Sequence, residues 1–157
     1  MAIGLLAHKY DMPAYTLRLA SWQEDSPALK LIREAVFIYE QGISVELEWD
    51  GLDPDSIHVL ALDAMHHPIG TARLRPDGAI GRMAVLKEWR RRGVGSGLLE
   101  RLLREARDRQ VPQVTLNAQA YVAGFYRRFG FVATGEEFIE AGIPHVKMVA
   151  KLDGNTA

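Results

Sequence analysis

Apolar and polar residues change rhythm along this chain in a way that marks out strands and helices. Residues 15–19, Tyr-Thr-Leu-Arg-Leu, alternate with the two-residue period of a half-buried strand. Ser26 and Pro27 have the form of an N-cap followed by proline at the first helical position. They open a helix carrying Leu31, Ile32, Ala35, Val36 and Tyr39, which Gly42 ends. Residues 58–62 and 69–74 predict two strands joined by a turn at 65–68, and Arg75-Pro-Asp-Gly78 predicts a turn into a strand over 79–86. These three strands would form a meander. Val94, Leu98, Leu99, Leu102, Leu103 and Ala106 then share one stripe of a helix from Gly93 to about Gln110, with Glu100, Arg101, Arg104 and Glu105 facing outward. Residues 114–118 read as a buried strand reached by a crossover, hence parallel to the strand before that helix. A helix over 121–129 and strands near 131–138 and 145–151 complete the pattern, with 1–13 as an extension and 153–157 as a frayed tail.

The segment between the fourth strand and the long helix carries the first chemistry. Glycines at 93, 95 and 97 leave no Cβ in the way of an approaching anion, and the first amides of a helix have no intrahelical acceptor. Arg90, Arg91 and Arg92 add positive charge there, and Ser96 lies within the turn. The side chain of Val94 would point into the core while its amide faces outward. This is a backbone cradle for a pyrophosphate, or, read without a ligand, a basic surface turn. An ATPase-type phosphate loop is excluded, because Gly97 is followed by Leu98 and Leu99 in place of Lys and Ser or Thr. A dinucleotide fingerprint is excluded too, since the required third glycine is Leu98 counted from Gly93 and Glu100 counted from Gly95.

Composition narrows the classes further. The 157 residues, 48% apolar and 25% charged, suit one domain spanning 1–157. A net charge of −1 gives no global attraction to nucleic acid or to an anionic membrane, so the basic cluster calls for a local anion. With no cysteine there is no disulfide, no thiolate metal site and no cysteine nucleophile. His8, His58, His66 and His67 show no ligand spacing with carboxylates, and no metal is assigned. Residues 2–7 are too short for a signal-peptide core and no run approaches a membrane span, which makes a cytoplasmic protein the expectation.

Arg90-x-x-Gly93-x-Gly95 resembles the acyl-coenzyme A signature of the GNAT family of N-acetyltransferases. Val36-Phe-Ile-Tyr-Glu-Gln-Gly-Ile43, Glu46-Leu-Glu-Trp-Asp50, Leu116-Asn-Ala-Gln119, Phe125-Tyr-Arg-Arg-Phe-Gly-Phe131 and Gly142-Ile-Pro-His145 are similar to further blocks of a bacterial subgroup, so the likeness runs from about Thr16 to Leu152. It implies a mixed, mostly antiparallel α+β sheet of six or seven strands with helices on both faces. The strands over 79–86 and 114–118 would splay apart to admit acetyl-CoA. It also implies that Met83, Ala84 and Val85 offer backbone groups to the pantetheine arm, that Tyr126 protonates the departing thiolate, and that a homodimer is a fair expectation. Absence of cysteine favours direct attack by a primary amine in a ternary complex.

The acceptor side stays open at this level. Asn117 ends a buried strand where a polar side chain needs a partner, either a ligand, the coenzyme A arm, or backbone, and Gln119 has the same character. Glu40, Glu46, Glu48, Asp50 and His145 are all candidates for the general base, each with an ordinary alternative as a solvated carboxylate or a structural histidine. The acidic run 46–50 around Trp49 would suit a cationic amine. A catalytically idle acyl-CoA-binding module would keep the 90–97 cradle and lose acid and base, and retention of Tyr126 argues against it.

Overall fold

The computed structural model describes residues 14–152; the expected extension and tail lie outside these. Among the described residues seven strands form two sheets, one in the order β1-β2-β3-β4 and one in the order β5-β7-β6. The first contains β1 (Tyr15–Ala20), β2 (Ile57–Asp63), β3 (Pro68–Leu74) and β4 (Ile80–Val85), each antiparallel to its neighbour. The second contains β5 (Gln113–Gln119), β6 (Val132–Glu140) and β7 (Ile143–Lys151), also antiparallel. The two sheets touch through one parallel bridge, Ala79 with Thr115, where the Thr115 amide donates to the Gly78 carbonyl at 3.0 Å. Beyond that bridge β4 and β5 separate, as the resemblance implies.

A helix covers each face of the first sheet. Helix α1 (Trp22–Arg33) continues as a π-helical stretch, Glu34–Glu40, and packs Leu29, Ile32, Val36 and Phe37 against Leu60 and Ala84. A short turn of helix, α2 (Val45–Glu48), follows. Helix α3 (Val94–Asp108) buries Val94, Leu98, Leu99, Leu102, Leu103 and Ala106, the stripe read from sequence, against Val59, Ala61, Ala72 and Ile80. Alternate residues of β2 thus face different helices, the period-2 rule at work. Helix α4 (Ala123–Arg127) closes the chain before β6.

Three element assignments need correcting. Helix α1 begins at Trp22, with Pro27 inside it. The Asp25 carboxylate accepts from the Ser21 amide at 2.9 Å while its own amide donates to the Ser21 carbonyl at 2.7 Å, which fixes the start one turn ahead of the proline. Of the apolar residues read into this helix from sequence, Leu31 and Tyr39 are 57% and 79% exposed. The helix expected over 121–129 is a 3₁₀ turn, Ala120–Val122, followed by only five α-helical residues. The strand β5 has its whole ladder with antiparallel β7, and its parallel relation to the chain before the long helix is confined to the single bridge.

Candidate active site

Where β4 and β5 part, an open cleft of about 1460 Å³ enters the molecule. One edge of β4 is bonded to β3 and the other faces this cleft, so backbone groups of Met83, Ala84 and Val85 lie along it. At its upper end stands the glycine-rich turn. Gly93 caps α3 with φ +85°, a left-handed value that suits glycine, and its carbonyl accepts from the Tyr15 hydroxyl at 3.2 Å. Gly97 is the first amide to bond back into the helix, to Gly93, which leaves the amides of Val94, Gly95 and Ser96 without an intrahelical acceptor. Gly95 and Ser96 line the cleft, and a Cβ on Gly95 would come no closer than 3.9 Å to anything, so the cradle is open. Val94 is buried, as expected. These features fit a diphosphate group.

Three of the supposed phosphate residues have other contacts. A Cβ on Gly97 would lie 3.1 Å from Leu17 and 3.2 Å from Tyr15, so this glycine lets α3 approach β1. Arg90 spends both terminal nitrogens on Glu40, at 2.6 Å each, and its Nε on the Val85 carbonyl at 2.9 Å. Its charge is matched, and one of the β4 carbonyls is capped. Arg92 stacks over Trp89 at 5.1 Å. Arg91, at φ +63°, lines the cleft and makes no ion pair with the described residues.

Tyr126 is half-buried beside the cleft, held edge-on by Phe125 and Phe131 at 5.1 and 6.0 Å. Its hydroxyl bonds to no described residue. Burial pushes the phenol up to about 12, so it stays protonated at neutral pH. His145 is 6% exposed and stacks on Phe138 at 5.9 Å. Its Nδ1 lies 2.7 Å from the Ile143 carbonyl, which can only accept; Nδ1 therefore carries a proton, and Nε2 points toward Glu140, 3.8 Å from a carboxylate oxygen. Asn117 donates to Glu140 at 3.5 Å, and Gln119 donates to Gln41 at 3.3 Å.

The acidic candidates read from sequence are mostly committed elsewhere. The Arg90 hydrogen bonds hold Glu40 below the usual carboxylate range. Glu48 is buried under the Arg33 guanidinium at 2.7 Å, and burial pushes its carboxyl up against the pull of Arg82 and Arg33. At Asp50 desolvation is outweighed by hydrogen bonds from Arg73 and the Leu52 amide, so its carboxyl is held far below the ordinary value. Neither is free to greet a cationic amine. Glu46 alone of the run is exposed and unpaired among the described residues, and it lies outside the cleft.

What holds those carboxylates was not anticipated from sequence. Arg33, 1% exposed, bonds Glu48 and Asp53 and lies over Trp49 at 4.9 Å; Arg73 bonds Asp50 and Asp53; Arg82 meets Glu48 and Asp50. His58 is buried against Trp22 with Nε2 on the Asp53 carbonyl at 2.9 Å. Three guanidiniums thus face three carboxylates and lash the chain over 45–55 to the first sheet. Arg73 and Arg82 inside apolar strands were the available signal, because an arginine at a buried strand position needs carboxylate partners. Arg82 also has φ +49° where the β3–β4 register shifts, a bulge that turns its side chain toward α2.

Comparison with known proteins converges on one family. A family profile described as acetyltransferase (GNAT) domain matches residues 34–152. The chain is 37% identical over 122 residues to YjcF, an uncharacterized N-acetyltransferase of Bacillus subtilis, covering 75% of this chain and 86% of the relative. Crystal structures of an acyl-CoA N-acyltransferase from Pseudomonas aeruginosa and of Escherichia coli ElaA superpose with TM-scores of 0.77 and 0.78, at 31% and 28% identity. Each match spans 87% of this chain and 99% of the other.

Proposed function

This chain belongs to the GNAT acetyltransferase family, which makes it an acyl-CoA-dependent acyltransferase, and from that premise we propose that it moves an acetyl group from acetyl-CoA to a primary amine by direct attack. The carrying observation is that one cleft holds the unbonded amides of Gly95 and Ser96, the unbonded hydroxyl of Tyr126 and the Nε2 of His145. Bound there, acetyl-CoA would supply an activated thioester carbonyl.

The chain's residues then divide the work. The α3 amides, with Arg91, hold the diphosphate, and the free edge of β4 at Met83 and Ala84 orients the pantetheine arm and polarises the carbonyl. Asn117 and Gln119 line the amine's approach. The Nε2 of His145 takes the proton that the attacking nitrogen must lose, and Tyr126 returns one to sulfur. The burial that raises the phenol to about 12 would raise the basicity of a thiolate beside it in the same sense, so the transfer stays matched. Glu40, tied to Arg90, positions the turn and takes no proton.

Acetyl-CoA at a hundredfold excess over its Kd should stabilise the protein by about 2.7 kcal/mol through mass action, read as a rise in Tm. Tyr126→Phe should keep that rise while thiol release with an accepted amine falls about 100-fold or more. An unchanged Tm at saturating acetyl-CoA would sink the reading. A full rise with no turnover on any amine would favour the idle binding module.

A further inference from the structure

Strand pairing sorts the cleft residues by face. Gln119 reaches Gln41 at the end of α1, and Arg82 reaches the carbonyls of Leu47 and Glu48 in α2, so both point to the α1–α2 side of the sheets. Asn117 is two residues from Gln119 and shares its face, and their partners across the ladder, Lys147 and His145, share it too. The alternate residues Leu116, Val146 and Met148 are buried against the α3 core, which fixes the assignment.

On this face most charges are matched. Arg33, Arg73 and Arg82 balance Glu48, Asp50 and Asp53, Arg75 pairs with Asp77, and Arg90 with Glu40. Apart from Arg91, given to the diphosphate, and Arg128, which lies over Phe125 at 5.5 Å, two charges lining the cleft are left over. Lys147 is exposed on the cleft with no ion pair among the described residues, and Glu140 stands beside His145 and Asn117. Arg82 is partly left over as well. Its Nη2 carries all three of its hydrogen bonds and its Nε faces Glu48, while Nη1 donates to no described residue.

Resting on the acetyltransferase reading, we propose that the acceptor is an amine that also carries a carboxylate, an amino-acid-like zwitterion. Its carboxylate is received by Arg82 Nη1 and Lys147, and its ammonium by Glu140 and His145. Lys147 and His145 lie two residues apart on β7, about 6 to 7 Å along the strand, so the two ends of one small molecule can meet both. A leftover cation and a leftover anion that sum to zero complement a neutral molecule with separated charges. A polyamine would instead meet Lys147 and Arg82 as like charges. On transfer the ammonium first loses one proton to water, the free amine's nitrogen forms its bond to the acetyl carbon and gives its second proton to His145 Nε2, the carbon–sulfur bond breaks, and the sulfur takes a proton from Tyr126, whose phenolate is reprotonated from solvent.

The test is thiol release from acetyl-CoA with amino acids, β-alanine and 4-aminobutyrate, each against its own primary amide. The acids should be preferred at least tenfold in kcat/KM for the accepted scaffold, although the amides' amines are less protonated at neutral pH. Lys147→Met should cut that preference by raising acceptor KM and spare the KM of acetyl-CoA, and Arg82→Lys should do the same in part. Calorimetry adds a readout free of turnover: with CoA present, the N-acetyl acid should bind more tightly than the N-acetyl amide. Amides used and bound as well as acids, with acetyl-CoA still raising Tm, would overturn the zwitterion and leave the acetyltransferase reading standing. No rise in Tm with acetyl-CoA would remove both.

Discussion

Glu40, at the end of the π-helical stretch, and Arg90, at the entrance to the glycine-rich turn, are fifty residues apart in sequence and joined by two hydrogen bonds of 2.6 Å. The pair ties the end of the π-helical stretch to the glycine-rich turn proposed to hold the diphosphate. Glu40→Gln should therefore raise the KM for acetyl-CoA severalfold. The acid limb of the pH–rate profile should stay in place, because the Arg90 hydrogen bonds keep Glu40 ionised well below that range. A loss of kcat concentrated at low pH would instead make Glu40 the base.

Removing Arg33 should be costly. Arg33→Met leaves Glu48, 2% exposed, with Arg82 alone and Asp53, 3% exposed, with Arg73 alone, and breaking a buried pair from one side costs about 3 to 5 kcal/mol. Urea unfolding should show the midpoint falling accordingly, with Lys30→Met on the same helix as a near-neutral control.

Acid should unfold the protein in two stages. Burial lowers His58 from 6.5, so the unfolded chain takes up that proton first, and the associated stability, full above pH 6.5, falls away below it. Asp25 and Asp53 are held down by Arg18 and by Arg33, so their contribution is full above the ordinary 3.8 and is lost as pH drops through their lower folded values. Urea midpoints measured from pH 8 to 3 should decline gently from about 6.5 and steeply below about 4. His58→Gln should abolish only the first decline.

Gly95→Leu should leave the unliganded Tm within a few degrees, because its Cβ meets only ordinary contacts at 3.9 and 4.0 Å. It should also erase the Tm rise with acetyl-CoA by blocking backbone approach. Gly97→Ala should do the reverse, shifting Leu17 and Tyr15 while preserving the acetyl-CoA response.

Much of the fold was legible because it depends on local periodicity. The α3 stripe from Val94 to Ala106, the meander of β2 to β4 and the turn at Gly93 follow from spacing alone. Tyr126 and His145 could be singled out, but their surroundings could not, since Phe131, Ile143 and Glu140 reach them through tertiary packing. The charges were the least legible part. Glu48 and Asp50 look like a solvated acidic loop until Arg33, Arg73 and Arg82 arrive from three other segments, and sequence spacing carries no record of such meetings. Pro27 misled for the same reason, because the bonds that start α1 come from Asp25 and Ser21 around it.

The lone bridge between Ala79 and Thr115 gives the two sheets the mechanics of a pair of tongs. The adjoining Gly78 tolerates no side chain, since a Cβ there would sit 2.8 Å from the Gln113 carbonyl, so the pivot is pinned tightly. The arms are β4 and β5, and six residues of strand reach about 20 Å, so a rotation of about 10° at the pivot moves the tips by roughly 3 to 4 Å. On the proposed function, a swing that small would change how closely the two strands flank a slender thiol arm. Leu116, Val146 and Met148 share one core with Ile80 and the α3 stripe, so any such swing would have to carry that common packing with it.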